Sequence, residues 1–505
     1  MADADSFHQR RALALGGAAT LLYLFTPPAV PNLDGLGYLK LIPHNFAAGH
    51  LLYMPALRLL TRLFGDGLRA GRLYDAVLGG TGVLLFYGIA RRLLPAAIGE
   101  EATRRAAPFA AAGLALSYGY WSEACDVEVY AAAMVALLMT VRVALSYRVH
   151  PSLGRALFTG LLLGVAVLSH LTHVLLAPFV ALYLYRHGPR RARVWHALAA
   201  LAAGAATSIT FYAYAAFVVR GHDVHAALRW IGTASHGFVS PAGPYRLSDA
   251  VYGLSKAIVN SPYLYEADAQ KLIGQFLLGF IPLMLLVVGL VARPARGLDT
   301  HALVAWAAPY AIFALFFFGS DPERWIFVLP VLWLLAAVLL SGVARPARAM
   351  ATALAWVGAF NFVTAIGPAH HDQWPRQKAE ATAALLHDGD LVIFPGHSWD
   401  EYIVFYGKAE VEPFPVAYYV PRDGLDAGFA RLDREIAAAR ARGGRVFAAR
   451  IFDDADEDRR GFWELATVGL AKADLRARLL QRFTPVTLTP LGGFSVARLD
   501  PRTGD

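Results

Sequence analysis

The chain has 505 residues, of which 57% are hydrophobic and 17% are charged, whereas about 25% of the residues of a soluble domain are charged. This composition excludes an ordinary soluble globule and indicates a protein that lies largely in a bilayer. Residues 1–369 hold 28 Lys and Arg against 17 Asp and Glu, and residues 370–505 hold 18 against 21. The basic excess therefore belongs to the apolar part, where it reports membrane orientation and does not indicate nucleic-acid binding.

The N-terminus places Arg10 and Arg11 before an uncharged run, 12–30. Pro27, Pro28 and Pro31 stand where a cleaved signal peptide would have small residues, so we predict a retained first span. A crossing needs about 20 mostly apolar residues. Eleven runs are candidates: 12–30, 73–90, 106–122, 129–147, 156–171, 173–187, 194–219, 272–292, 301–318, 325–343 and 347–366.

Basic residues predict the orientation of these spans. The apolar run 156–185 is too long for one crossing and has basic residues on both flanks, so we predict two crossings with a turn near His170–His173. With the N-terminus inside, every inside loop is basic, as at residues 91–105 and 186–193. Eleven is an odd number, so residues 370–505 are expected outside the cytoplasm.

Two further segments are not predicted to cross. Residues 44–64 place Arg58 and Arg62 on one helical face, with leucines and aromatics elsewhere, which is typical of a helix lying in the membrane interface. Segment 220–271 is long and polar, and it fits either an outer loop or a pair of surface helices.

The tail, residues 370–505, is predicted to be a small α/β domain. Its expected elements are a turn and strand at 387–396, a helix at 425–442 capped by Gly443-Gly444, and a strand at 445–452. An acidic helix start is expected at 453–466 and a terminal hairpin at 486–499. Cys125 is the only cysteine, so no intrachain disulfide is possible. We therefore predict two domains, a membrane bundle at 1–369 and the tail at 370–505.

Ionisable residues gather at the predicted outer ends of the spans. Four clusters meet there: Asp34 with Lys40, His44 and His50; Glu123 with Asp126 and Glu128; His170 with His173; and Asp321 with Glu323 and Arg324. Because charged groups in membrane segments are costly, such clusters indicate function. Asp34 follows the first span beside Gly35 and is suited to accept a proton from an entering hydroxyl. The alternative is a solvated loop aspartate.

The segment WSEACDVEVY, residues 121–130, joins two predicted spans. Asp126 and Glu128 are two apart, so both can face one cavity in an extended segment. With Asp34 they would suit a hard cation such as Mg²⁺ or Mn²⁺. The same pair could instead hydrogen-bond a sugar, or belong to an ordinary acidic loop.

The remaining two clusters suggest phosphate binding. His170 and His173 have helical spacing and could hold a metal or a phosphate, although histidines at the end of a span are commonly interfacial. Arg324 stands at the entrance of a late span beside Trp325, where a guanidinium suits a lipid-linked phosphate. The alternative for Arg324 is an ion pair with Glu323 and an anchor in the aromatic belt.

These motifs resemble those of the GT-C superfamily of integral-membrane glycosyltransferases, near its protein O-mannosyltransferase-like and lipid A aminoarabinose transferase-like branches. Four features within residues 1–366 carry the resemblance: Asp34 in the first outer loop, Arg72-Leu-Tyr-Asp75 at the second span, Trp121 to Tyr130 at the third, and Glu323 to Pro330 late in the chain. Many relatives carry two adjacent acids in the first outer loop. Here Asp34 precedes Gly35, so Asp126 or Glu128 would supply any second carboxylate.

The resemblance implies a multi-pass protein of the cell inner (plasma) membrane that transfers a hexosyl or pentosyl group. The donor would be a polyprenyl-phosphate sugar and the acceptor a hydroxyl of a lipid, glycan or protein, with inversion in one displacement. Asp34 would be the base, aided by Asp126 and Glu128. The residues expected to bind substrate are Arg324, Lys40, His44, His170, His173, Glu123, Glu323 and Tyr130.

The main other interpretation is a transporter or flippase for a lipid-linked or small polar substrate; a membrane scaffold would not need acids at the ends of the spans, and a metal-dependent phosphatase would need a signature that the sequence does not show. Such proteins commonly have inverted repeats and polar residues at mid-membrane, and the sequence has neither. The sequence does not decide whether a divalent cation is bound. It also does not identify the sugar or the acceptor.

Overall fold

The computed structural model describes residues 2–42, 47–232, 246–260, 262, 297–396, 399–407, 411–416, 419–420, 424–452, 470–491 and 495–502. Internal contacts divide the chain into two compact units. The first comprises Met1–Ala29 and Leu41–His371, and the second comprises Val30–Lys40 and Asp372–Asp505. A short segment of the predicted first outer loop therefore belongs to the same unit as the tail.

The described elements are mainly helices. Up to residue 258 they are α1 (Ala2–Phe25), α2 (Leu33–Leu41), α3 (Tyr53–Phe64), α4 (Gly67–Leu93), α5 (Pro95–Leu116), α6 (Tyr118–Ala124), α7 (Val129–Tyr147), α8 (Leu153–Ser169), a 3₁₀ helix (Leu171–Leu176), α9 (Ala177–His187), α10 (Arg193–Ala213), a π-helical turn (Tyr214–Val219), α11 (Val224–Gly232) and α12 (Arg246–Ile258). From residue 297 to 371 they are α13 (Thr300–Phe316), a 3₁₀ helix (Pro322–Val328), α14 (Leu329–Ser341), α15 (Pro346–Asn361), a π-helical turn (Phe362–Ile366) and α16 (Gly367–His371).

Five helical stretches among the described residues are long and apolar enough to cross a membrane. They are Gly67–Leu93, Val129–Tyr147, Arg193–Val219, Pro322–Ser341 and Pro346–Ala383. Shorter apolar helices lie at Leu153–Ser169 and Thr300–Phe316. The mainly helical, apolar architecture predicted for this part is confirmed. The count of eleven spans and their orientation stay predictions, and the candidate span 272–292 lies outside the described residues.

The predicted span 106–122 is not one continuous helix. Its backbone turns at Ser117, which has extended dihedral angles between α5 and α6. The Ser117 hydroxyl donates to the Gly113 carbonyl at 2.8 Å and accepts from Trp333 Nε1 at 2.8 Å. A side-chain hydroxyl that bonds the backbone stabilises a helix end, and this signal is too local to disturb the hydropathy of the run.

The long apolar run 156–185 breaks where the sequence predicted. His170 is extended and separates α8 from the 3₁₀ helix. The break leaves backbone N–H and C=O groups without hydrogen-bond partners inside the helix, and a neighbouring loop supplies those partners. The Leu171 N–H donates to the Gly49 carbonyl at 3.1 Å, and the Leu52 N–H donates to the Leu168 carbonyl at 3.2 Å. The loop of residues 49–52 is thereby held beside His170.

The interfacial helix predicted within 44–64 begins at Tyr53, as α3. It buries Tyr53, Met54 and Leu57, whereas Leu63 and Phe64 are exposed. This helix ends at Phe64 and is capped by Gly65, which has a left-handed φ of 76°. Segment 220–271 contains α11 and α12, and residues 233–245, 261 and 263–271 lie outside the described part.

The tail is an α/β unit with a five-stranded sheet. Its elements are α17 (Trp374–Ala383), β1 (Leu391–Phe394), α18 (Trp399–Tyr406), β2 (Glu412–Pro415), α19 (Leu425–Ala441), β3 (Val446–Ala449), α20 (Lys472–Arg482), β4 (Phe483–Pro490) and β5 (Ser495–Pro501). The strand order is β2-β1-β3-β5-β4. Strand β1 is parallel to β2 and β3, while β5 is antiparallel to β3 and β4. The predicted terminal hairpin is β4 with β5, and the acidic segment 453–466 lies outside the described residues.

Candidate functional site

Tyr130 links two elements that are distant in sequence. It stands in the first turn of α7, and its hydroxyl donates to Glu323 Oε2 at 2.9 Å. The Tyr130 hydroxyl oxygen also accepts from Arg324 Nη1 at 2.9 Å. Glu323 and Arg324 lie in the first turn of the 3₁₀ helix that starts at Pro322, and the Asp321 carboxylate caps that turn through the Glu323 N–H at 3.1 Å. Three residues predicted to bind substrate are thus in direct contact.

The Arg324 guanidinium is held loosely by carboxylates. Arg324 Nη2 lies 3.4 Å from Asp321 Oδ2 and 3.9 Å from Glu323 Oε2, and its side chain is 22% exposed. The Phe317 ring covers it, with 5.3 Å between Arg324 Cζ and the ring centroid. Tight charge-assisted bonds of this kind measure about 2.7–2.9 Å. The ion pair that the sequence left as an alternative is therefore present, but it is not a short two-pronged pair.

Histidines lie beside this network. The His170 ring centroid is 5.3 Å from that of Tyr130, 4.8 Å from that of His50 and 5.9 Å from that of His173. Thr172 is hydrogen-bonded to His170 Nδ1, with 2.6 Å between Oγ1 and the ring nitrogen. His50 comes to this place on the loop 49–52 that satisfies the helix break.

His173 is a packed core residue. It is fully buried, and its Nδ1 is 2.7 Å from the Tyr310 hydroxyl while its Nε2 is 3.0 Å from the Ala133 carbonyl. A carbonyl accepts only, so Nε2 carries the proton and Nδ1 accepts from Tyr310. Both ring nitrogens are engaged, which favours a role in holding α7, the 3₁₀ helix and α13 together over direct contact with substrate.

A second group of polar residues surrounds the start of α7. Glu128 is its N-cap residue, and Asp75 Oδ2 accepts from the Glu128 N–H at 3.1 Å and from the Tyr53 hydroxyl at 2.7 Å. Asp75 and Glu128 are fully buried, and Asp126 is 2% exposed. Asp75 Oδ1 has no hydrogen-bond partner within the described residues. The carboxylates of Asp75, Asp126 and Glu128 are therefore all buried near the start of α7, where water has little access.

Arg72 supplies the cation of this group. Its Nε lies 3.4 Å from Asp126 Oδ1, and its Nη2 donates to the Pro28 carbonyl at 2.7 Å. The arginine that heads the Arg72-Leu-Tyr-Asp75 motif thereby joins the end of the first apolar segment to the acidic segment 125–128. Glu123 is also buried, in α6, where the Ser122 hydroxyl donates to its Oε1 at 3.3 Å.

The other predicted residues lie elsewhere or outside the described part. Asp34 is exposed in the first turn of α2, and Lys40 stands in the last turn. Both belong to the second unit, so their roles beside the acids of the first unit stay predictions. His44 lies outside the described residues. Across the described ranges, no group of three or more His, Cys, Asp or Glu is arranged to hold a metal ion.

Sequence reasoning missed two contributors to this site, the Asp75 carboxylate and Tyr53. Asp75 appeared only as part of a motif, although a carboxylate inside the apolar run 73–90 was itself a signal of function. Tyr53 carried no signal of its own, because its contact with Asp75 depends on how α3 packs against α4.

Known proteins share this architecture. Residues 52–216 match the family described as dolichyl-phosphate-mannose-protein mannosyltransferase. That range includes Asp75, Glu128 and Tyr130 but neither Asp34 nor Arg324. No curated protein sequence matches the chain.

Two solved enzymes resemble the whole chain in fold. ArnT from Cupriavidus metallidurans bound to undecaprenyl phosphate is 14% identical, with a TM-score of 0.51, and the match covers 96% of this chain and 97% of ArnT. The oligosaccharyltransferase of Archaeoglobus fulgidus in the apo form is 13% identical, with a TM-score of 0.53, over 98% of this chain and 75% of that enzyme. The resemblance to the GT-C superfamily of integral-membrane glycosyltransferases, first indicated by four short motifs, is thereby confirmed.

Proposed function

We propose that this protein is a glycosyltransferase that moves a sugar from a polyprenyl-phosphate-linked donor to a hydroxyl acceptor at the outer face of the membrane. The observation that carries the proposal is the contact of Tyr130 with Glu323 and Arg324 beside the buried His170. The mannosyltransferase family match supports the proposal, and so does a fold shared with a solved enzyme that binds undecaprenyl phosphate.

Arg324 is the residue that we assign to the donor phosphate. Its carboxylate contacts of 3.4 and 3.9 Å leave the guanidinium able to turn towards a phosphate, which it would grip with two parallel hydrogen bonds. The Tyr130 hydroxyl, which accepts from Arg324 Nη1 and donates to Glu323, is a second donor at the same place once its proton turns from Glu323 to the phosphate. In a site with little water, both bonds stabilise the charge that grows on the leaving phosphate.

The chemical step is one displacement at the anomeric carbon. A new bond forms between that carbon and the acceptor oxygen, and the bond from carbon to the phosphate oxygen breaks. The electron pair leaves with the polyprenyl phosphate, and the acceptor proton passes to a carboxylate. One displacement inverts the anomeric centre.

Asp34 is the carboxylate that we assign as base, because it is exposed in the first turn of α2 and can be reached by an acceptor. Asp126 and Glu128 are the replacements that the first unit offers. Both are buried, and Asp126 is already paired with Arg72, so we assign them to holding the sugar hydroxyls. A divalent cation stays a proposal for these acids, and no step above depends on one.

Donor binding and turnover together test this function. The full chain in nanodiscs is given polyprenyl phosphates that carry a hexose or a pentose, with extracted membrane lipid and glycan as acceptors. We expect tight binding of one donor and release of polyprenyl phosphate only when an acceptor is present. Binding without release, combined with movement of the donor across vesicle membranes, would establish the transporter or flippase function instead.

A further inference from the structure

A cavity of about 300 Å³ lies between α4 and α7, away from the proposed catalytic site. It is lined by Leu85, Arg92, Met139, Arg142, Val143 and Ser146. The three apolar side chains form its wall, and the two arginines with Ser146 make its polar part. The cavity lies near the C-terminal ends of α4 and α7, close to the basic segment 91–105 that we expect in the cytoplasm.

The Arg92 side chain reaches the backbone of Arg142. Arg92 Nη1 donates to the Arg142 carbonyl at 3.1 Å. The Arg142 guanidinium lies against Gly88 of α4, since a Cβ built at that position would be 3.8 Å from Arg142 Nη1, an ordinary van der Waals distance.

Neither guanidinium has a carboxylate partner within the described ranges, whereas other arginines of the basic loops do. Arg91 pairs with Glu100 at 3.3 Å, and Arg104 pairs with Glu101 at 3.5 Å. Two like charges beside an apolar wall repel each other more strongly than they would in bulk water. The Arg92–Arg142 pair is therefore suited to an anion that comes from outside the chain.

The walls of the cavity indicate the chemical class of that anion. A free phosphate would bind the arginines but would leave the apolar side chains of Leu85, Met139 and Val143 without a partner. A phospholipid carries both a phosphate and acyl chains. Met139 is 40% exposed, so an acyl chain can reach the wall from the lipid side. Basic pockets between membrane helices on the cytoplasmic side commonly bind anionic head groups.

We propose that the cavity between α4 and α7 binds the phosphodiester of an anionic phospholipid through Arg92 and Arg142, with the start of an acyl chain against Leu85, Met139 and Val143. The site is separate from the residues assigned to sugar transfer, so it does not depend on the proposed function.

Native mass spectrometry of the full chain tests this site. The delipidated protein in a neutral detergent is titrated with phosphatidylglycerol, phosphatidylcholine or inorganic phosphate. We expect one phosphatidylglycerol to bind more tightly than any phosphatidylcholine. In the Arg92→Gln/Arg142→Gln variant its affinity should fall about 10- to 150-fold, the loss that charged hydrogen bonds produce.

Two further variants separate this site from a general charge effect. The Arg91→Gln/Arg104→Gln variant removes the same charge from ion-paired arginines and should bind like the wild type. Met139→Trp fills the wall but keeps both arginines, so it should weaken phosphatidylglycerol binding while leaving the unfolding temperature in the absence of lipid unchanged. Equal affinity in wild type and Arg92→Gln/Arg142→Gln would overturn the proposal. So would displacement of the lipid by inorganic phosphate at similar concentration, since the site would then be one for a free anion.

Discussion

The two units each bury an aspartate, and the two carboxylates differ in how completely they are hydrogen-bonded. Asp390 in the tail accepts from the Arg445 N–H at 2.7 Å, from Arg445 Nη2 at 2.7 Å and from the His387 N–H at 2.8 Å. Asp75 in the membrane unit accepts two bonds on Oδ2, and its Oδ1 has no partner within the described residues. Its carboxylate meets no cation there.

We infer from this difference that Asp390 is a structural carboxylate and Asp75 a functional one. Asp390 joins β1 to β3, its charge is balanced, and nothing remains for a ligand. Asp75 places an ionisable group where charge is costly, and it stands next to the acids that we assign to substrate. An incompletely satisfied buried carboxylate indicates function because the fold alone would favour a neutral residue.

The largest effect is expected at Asp34, which is exposed in the second unit. Asp34→Asn removes the proposed base but keeps the side-chain shape, so transfer should fall about 10²–10⁴-fold with an unchanged unfolding temperature. Asp426→Asn is the matched control, since Asp426 is also an exposed acid in the first turn of a helix of the same unit. Near-normal turnover in purified Asp34→Asn protein would pass the role of base to Asp126 or Glu128.

The next effect concerns the donor phosphate. If Arg324 binds it with two hydrogen bonds, Arg324→Lys keeps the charge but loses the fork, and donor affinity should fall about 10- to 150-fold. Binding of a polyprenyl-phosphate sugar in nanodiscs measures this change. Arg348→Lys, in the first turn of α15 at an exposed position, should be silent. A silent Arg324→Lys would leave Arg324 as an anchor at the membrane surface.

Features of the fold that depend on neighbouring residues could be predicted from the sequence, whereas contacts between residues far apart in the chain could not. The break at His170 and the terminal hairpin were predicted because charges on both flanks and the pattern of the chain are local features. Strand β2 was missed because Pro413 and Pro415 argue against a strand, although an edge position in the sheet tolerates them.

The buried contacts had no local signal. Asp390 and Arg445 are 55 residues apart, and Asp75 and Glu128 are 53 apart. Tyr130 reaches Arg324 across 194 residues. Each residue type could be noticed alone, but the partner that decides between a structural and a functional role appears only when the helices or strands are packed.

The comparison of Asp75 with Asp390 is tested directly by the same substitution at both positions. Asp75→Asn keeps an oxygen for Tyr53 and Glu128 but removes the ionisable carboxyl group, so we expect transfer to fall roughly 10-fold, or about 1.4 kcal/mol, with no loss of stability. Asp390→Asn should lower the free energy of unfolding of the tail by about 1–3 kcal/mol and leave transfer by the folded protein unchanged. Thermal unfolding and turnover are measured on both variants. A destabilised Asp75→Asn protein with normal turnover would make both aspartates structural.

The smallest effect is the acid sensitivity of the tail. Burial alone would raise the pKa of Asp390, but the bonds from Arg445 and from the Arg445 and His387 backbone outweigh it and hold that pKa below its ordinary value. The stabilisation is therefore complete above the unfolded pKa of about 3.9 and is lost as the pH falls through the lower folded value. Hydrogen exchange of the β1 and β3 amides in the full chain, followed from pH 7 to 3, should show faster opening in the last part of that range.

Two arginine variants separate Asp390 from the other carboxylates of the tail, which titrate nearby. Arg445→Gln removes the partner that lowers the Asp390 pKa, so β1 and β3 should open faster already at pH 7, and the further change on acidification should be smaller than in the wild type. Arg442→Gln breaks a surface pair with Glu412, in which both side chains are nearly half exposed. Surface pairs of this kind contribute about 0–1 kcal/mol, so this variant should follow the wild type. Equal acid dependence in Arg445→Gln and wild type would show that Asp390 is not the titrating group, and the contrast with Asp75 would then rest on turnover alone.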